Sequence, residues 1–166
     1  MPTLIALAVS VGVLAVVATW VFFLEPVAMA NLQVWQAFIA WGCHYHCGGK
    51  ITGTRNTVVC MSFGAVVGMA AVLLAGQLGA LGALAAPVAV GLGATVIVLA
   101  STLPFFAAIP ASVYGFAAIA GLILLGTDMT PTRALLPTIL SIIIGAIFGY
   151  VSEAVAGALT KKSAAH

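Results

Sequence analysis

Between Trp35 and Lys50 the chain reads Trp35-Gln36-Ala37-Phe38-Ile39-Ala40-Trp41-Gly42-Cys43-His44-Tyr45-His46-Cys47-Gly48-Gly49-Lys50. Two of the three Trp, two of the three Cys and two of the three His fall in this one stretch. Thiol and imidazole are ligands for zinc and copper, so metal binding is the first chemistry to weigh. Helical geometry narrows it. At about 100° per residue, Cys43 and Cys47 share a face, whereas His44 and His46 lie about 200° apart. At most Cys43, Cys47 and one histidine converge, and a fourth ligand such as Cys60 must come from elsewhere. The spacing matches no common zinc motif, so no metal or other cofactor is expected; the set Cys43, His46 and Cys47 stands as the alternative. A disulfide is disfavoured, because cysteines one turn apart on a helix are poor partners and the cytoplasmic face is reducing.

Two other readings compete. Trp, Tyr and His sit well at headgroup depth, which accounts for Tyr45, His46 and Lys50 but not for Gln36. A third reading takes Gln36, Ala40, Cys43 and Cys47 as a narrow stripe of small or polar groups, with Phe38, Trp41 and Tyr45 on the broadly opposite, bulky face. A similar mixture, Pro110, Ser112 and Tyr114, follows the break at Thr102-Leu103-Pro104-Phe105. Broken helices are tolerated in membranes where protein or a water-filled cavity satisfies the freed backbone groups. The expectation is a small-solute path between these two segments, lined by Gln36, Trp41, Cys43, His44, Pro110, Ser112 and Tyr114. Plain structural packing is its competitor.

Ionisable groups are scarce. Only Glu153 lies inside an apolar stretch, where it snorkels or pairs with Lys161 or His44. No triad, nucleotide loop or acid/base pair is visible, so an enzyme is not expected. His166 and the lysines before it read as a solvated end.

The elements that carry these residues follow from composition. Of 166 residues, 64% are hydrophobic and 5% are charged, with a net charge of +2. No water-soluble domain of this size hides so much apolar side chain, which places the chain in the membrane class. The apolar runs are continuous rather than alternating, which excludes a β-barrel, and no basic patch suggests nucleic acid. Each crossing needs about 20 apolar residues. The reading is therefore an all-α membrane protein, a single domain over 1–166 with six transmembrane helices at 3–24, 31–49, 57–76, 86–100, 105–125 and 134–159. The first is read as a retained helix rather than a signal peptide: it has no basic n-region and its apolar run is long. Six crossings gather Lys50, Arg55, Lys161 and Lys162 on one side, against Glu25, Asp128 and Arg133 on the other. By the positive-inside rule both termini are then cytoplasmic.

The chain also looks duplicated. Gly64-Ala65-Val66-Val67-Gly68 and Gly145-Ala146-Ile147-Phe148-Gly149 share an offset of 81 residues, as do Thr57 and Thr138. Gln36-Ala37-Phe38-Ile39 has a looser counterpart in Pro110-Ala111-Ser112-Val113 at a different offset. Two three-helix units, 1–80 and 81–160, would be inverted repeats, an arrangement that recurs in transporters with the site at the repeat interface. Chance matching among abundant Gly and Ala is the other explanation. The four glycines Gly64, Gly68, Gly145 and Gly149 are expected to pack helices closely.

Trp41-Gly42 followed by Gly48-Gly49, the Gly64/Gly68 helix, and Ile109-Pro110-Ala111-Ser112 with the aromatic and Gly residues after it resemble a bacterial inner-membrane family, domain of unknown function 1097. The resemblance covers most of the chain and implies a small multi-spanning inner-membrane protein, with no activity attached. The Cys-His-Tyr-His-Cys run is not among the features it shares. The function expected is a channel or facilitator, homo-oligomeric in the bilayer, for a small neutral or weakly polar solute such as urea, ammonia, a short amide or an alcohol. The alternatives are a metal- or redox-responsive protein using Cys43 and Cys47, and an accessory subunit of a membrane complex.

Overall fold

The computed structural model describes residues 2–124 and 129–164, with side chains through Thr160. Asp128, His166 and the side chains of Lys161 and Lys162 lie outside the described residues, and with them part of the expected charge asymmetry and the Glu153–Lys161 pairing. Among the described residues the chain is helical, with no strand. Seven α-helices follow in order: α1 (Thr3–Phe22), a short α2 (Glu25–Met29), α3 (Val34–His46), α4 (Lys50–Gln77), α5 (Ala85–Ala100), α6 (Ile109–Leu124) and α7 (Pro131–Ala164). 3-10 segments at Gly79–Leu84, kinked at Gly82, and at Pro104–Phe106 flank α5.

Punctuation residues set most of these boundaries. Pro26 enters the first turn of α2, where a missing N–H costs little. Gly48 and Gly49 adopt φ of +90° and +67°, a conformation glycine reaches without strain, and this ends α3. Among the boundaries that differ from expectation, three helix starts stand out. α4 starts at Lys50 rather than 57, because the polar run from Lys50 to Asn56 is itself helical and the Glu153 carboxylate accepts from the Lys50 backbone N–H at 2.6 Å. α6 starts at Ile109 rather than 105, so Pro110 lies in its first turn. α7 starts at Pro131, which leaves Pro137 inside the helix rather than in its first turn.

Four helical stretches are long and apolar enough to cross a membrane: Thr3–Phe22, Lys50–Gln77, Gly79–Ala100 and Pro131–Thr160. α3 and α6 are shorter, at 13 and 16 residues, or roughly 20–24 Å, less than a hydrocarbon core of about 30 Å. They are the heart of the bundle all the same. α3 packs on α7 and α6 packs on α4, the two long helices cross each other, and α1 and α5 flank from outside against α7 and α4 respectively.

Both close pairs run parallel. Gly145 meets Ala37 and Gly149 meets His44 along α7 and α3; Gly64 meets Ser112 and Gly68 meets Phe116 and Ile119 along α4 and α6. At Gly64, Gly115 and Gly145 a Cβ would collide with the facing backbone, of Ser112, Met61 and Ala37 in turn. The interior is accordingly built of small residues, including Ala40, Ala65, Ala111, Ala118 and Ala146, while Leu4, Val16, Leu99 and Leu136 are each more than 60% exposed. Small residues inside and large apolar ones outside is the packing expected where lipid, not water, surrounds the bundle.

Candidate functional site

The short helices do not begin at the ends of the bundle. The Gln33 backbone N–H, just ahead of α3, donates to Ser141 Oγ at 2.9 Å, and Ser141 is fully buried. Ser141 lies ten residues into α7, about 15 Å along its axis. At α6, Cys60 Sγ donates to Phe105 O at 3.4 Å, and Cys60 lies ten residues into α4. Side chains from the two long helices thus satisfy backbone groups where the short helices start, as a membrane interior requires.

α3 carries the densest set of polar contacts. Gln36 Nε2 donates to Ala118 O at 2.9 Å and to Thr138 Oγ1 at 3.1 Å, tying α3 to α6 and α7. The Trp41 indole donates to Ser152 Oγ at 2.9 Å, and its ring stacks on Phe38 and Phe148. Tyr45 OH meets the same Ser152 Oγ at 2.6 Å, and Ser152 donates onward to Gly149 O. Ser10 of α1 donates to Ser152 O at 2.8 Å, so three helices, α1, α3 and α7, meet around one serine. Trp41 is therefore buried against α7.

His44 is fully buried. Its Nε2 is 3.0 Å from Glu153 Oε2 and its Nδ1 is 3.1 Å from Thr54 Oγ1. A side chain at Gly149 would strike the imidazole, so that glycine makes the room. Glu153 also caps α4, and beside it a groove of about 570 Å³ opens between Lys50, Ile51, Tyr150 and Gly157. His46 points the other way: its Nδ1 is 2.9 Å from Tyr114 OH. These two line a mostly apolar groove of about 360 Å³ with Phe38, Ile39, Gly42, Cys43 and Ala117.

The expected path residues thus divide. Gln36, Trp41, Cys43, His44 and Ser112 are buried, Tyr114 is half-buried, and Pro110 is exposed. Among the described residues four buried side-chain oxygens lack a hydrogen-bond partner: Gln36 Oε1, Thr57 Oγ1, Ser62 Oγ and Ser112 Oγ. Cys43 and Cys47 lie with Sγ atoms 3.8 Å apart, and all three cysteines are free. No group of three His, Cys, Asp or Glu side chains converges to hold a metal among the described residues.

Sequence reading missed Thr54, Thr138, Ser141 and Ser152 as contributors. The signal that could have found them is a stripe along α7, in which Thr138, Ser141, Gly145, Gly149 and Ser152 recur every three or four residues.

Long apolar helices with an interior of small and hydroxyl side chains define an all-helical membrane protein. The sequence matches the family described as protein of unknown function (DUF1097) over residues 8–157, and the chain belongs to that family. No curated protein and no solved structure matches it.

Proposed function

We propose that the protein is a facilitator for a small neutral or weakly polar solute, working as a homo-oligomer in a bacterial inner membrane. The observation that carries the reading is the pair of short helices starting inside the bundle, which hold Gln36 Oε1 and Ser112 Oγ buried and unpartnered. A polar atom left without a partner away from water costs about 1–3 kcal/mol. A passing guest that donates N–H or O–H relieves that cost, which suits urea, ammonia, short amides and short alcohols.

The same reading takes the chain as two inverted three-helix units making six crossings. Its support is the recurrence of contacts. Gly64 on Ser112 and Gly68 on Ile119 correspond to Gly145 on Ala37 and Gly149 on His44; the glycines differ by 81 residues and their partners by 75. α1 flanks α7 as α5 flanks α4. Arg55 stacks over Phe105 at 5.5 Å and Lys50 meets Glu153, so the start of α4, the turn before α6 and the later part of α7 share one face. Basic residues on that face make it the cytoplasmic one.

The test is stopped-flow light scattering on proteoliposomes under outward gradients of urea, short amides and short alcohols. The expected result is faster re-swelling than in empty liposomes for one of these classes, slowed by Ser112→Ala. Equal rates for every solute, with and without protein, would overturn the reading.

A further inference from the structure

We propose that Cys43 and Cys47 form a two-thiolate site for a soft monovalent metal ion of the Cu(I) class. Every cysteine of this chain gathers in one place: Cys43 and Cys60 belong to one buried cluster, and Cys47 packs against it. Met61, next to Cys60 in sequence, belongs to the same cluster. Thiols gathered in this way are soft-ligand chemistry.

The distance is informative. The two Sγ atoms stand 3.8 Å apart, far beyond the roughly 2.05 Å of a disulfide bond. Two metal–thiolate bonds of about 2.3 Å set their sulfurs about 3.8 Å apart when bent near the tetrahedral angle, and about 4.6 Å apart when linear. A two-coordinate soft ion favours the linear end, so Cys47, half-buried at the cap of α3, must open the pair by about 0.8 Å on binding. A simple S–H···S contact also gives this distance, so a second observation matters. Thr57, fully buried on α4, has a hydroxyl that makes no well-formed hydrogen bond, and the group it faces is the Cys43 thiol. It is placed to donate to a thiolate.

The surroundings choose the metal. Zinc takes four ligands, but both histidines are engaged elsewhere, His44 by Glu153 and Thr54, His46 by Tyr114. Two thiolates and a buried hydroxyl suit a singly charged soft ion instead. Binding exchanges two thiol protons for the metal. The protons leave to water past Cys47, and the bis-thiolate complex carries one net negative charge, steadied by Thr57.

The experiment titrates the purified full chain, reduced and in detergent, against Cu(I) held by a chromophoric chelator. Wild type is expected to withdraw a single Cu(I) per chain. Cys43→Ser and Cys47→Ser should each weaken binding by at least about 100-fold, whereas His46→Ala and Cys60→Ser should change it by less than about tenfold. Copper left wholly on the chelator overturns the proposal, as does a His46→Ala loss equal to that of the thiol variants. A measurement on wild type alone guards against variants that do not fold. Ag(I) should slow maleimide alkylation of Cys47, and an unchanged rate would also refute the site.

Discussion

Ser152 accepts from Trp41 and Tyr45 on one oxygen while its own proton goes to Gly149 O. Replacing it with Ala strands two donors in a dry interior. Ser152→Ala should therefore destabilise the fold by about 1–3 kcal/mol, read as a lower melting temperature in detergent; an unchanged midpoint would mean the hydroxyl is dispensable. At this scale the sequence was informative about chemistry and poor about faces. The Cys/His segment stood out by composition, and pairing of Glu153 with His44 was one of two partners open to it. Pro110 departs from the expected path lining, since it is exposed at the first turn of α6 whereas Ala111 and Ser112 after it are buried. The hydroxyls of α7 went unread because Ser and Thr in a membrane helix often bond their own backbone and give no signal singly.

Glycine placement decides how the helices approach. Gly64, Gly115 and Gly145 each sit against a facing backbone, whereas Gly12, Gly76 and Gly157 have nothing within 4 Å of a would-be Cβ. Gly64→Val and Gly145→Val should cost about 3 kcal/mol or more, since a backbone cannot step aside like a side chain. Gly12→Ala should stay within about 0.5 kcal/mol of wild type. Thermal melts of the three variants side by side check this, and equal midpoints would remove the glycines from the packing argument. Element existence was legible from apolar runs and from Gly and Pro punctuation. Element ends were not. The start of α4 depends on a carboxylate over a hundred residues away, and the shortness of α3 and α6 depends on Ser141 and Cys60 satisfying backbone groups from other helices.

At the scale of the whole molecule, the proposed six crossings predict where reporters work. Alkaline phosphatase fused after Leu81 should be active, and fused at the C-terminus inactive, in a bacterial host; the opposite pattern would reverse the orientation. Composition alone pointed to a membrane, because the apolar fraction cannot be hidden in a monomer of this size. Which helices pair could not be read, since the duplication signal lies in glycines too common to align unaided, and the match from Gln36 to Pro110 is one residue off the register the contacts give. The cap on α4 has a consequence for how the protein is made. Lys50 and Glu153 are separated by 103 residues. At about 5–20 residues per second a ribosome delivers the α3–α4 hairpin roughly 5–20 s before its carboxylate partner. For that interval the α4 N-terminus and the His44 imidazole wait without it, and the bundle is complete only when the last helix inserts. A chain stopped short of α7 is then an unfinished bundle in the bilayer, a substrate for quality-control proteolysis and not a shortened version of the protein.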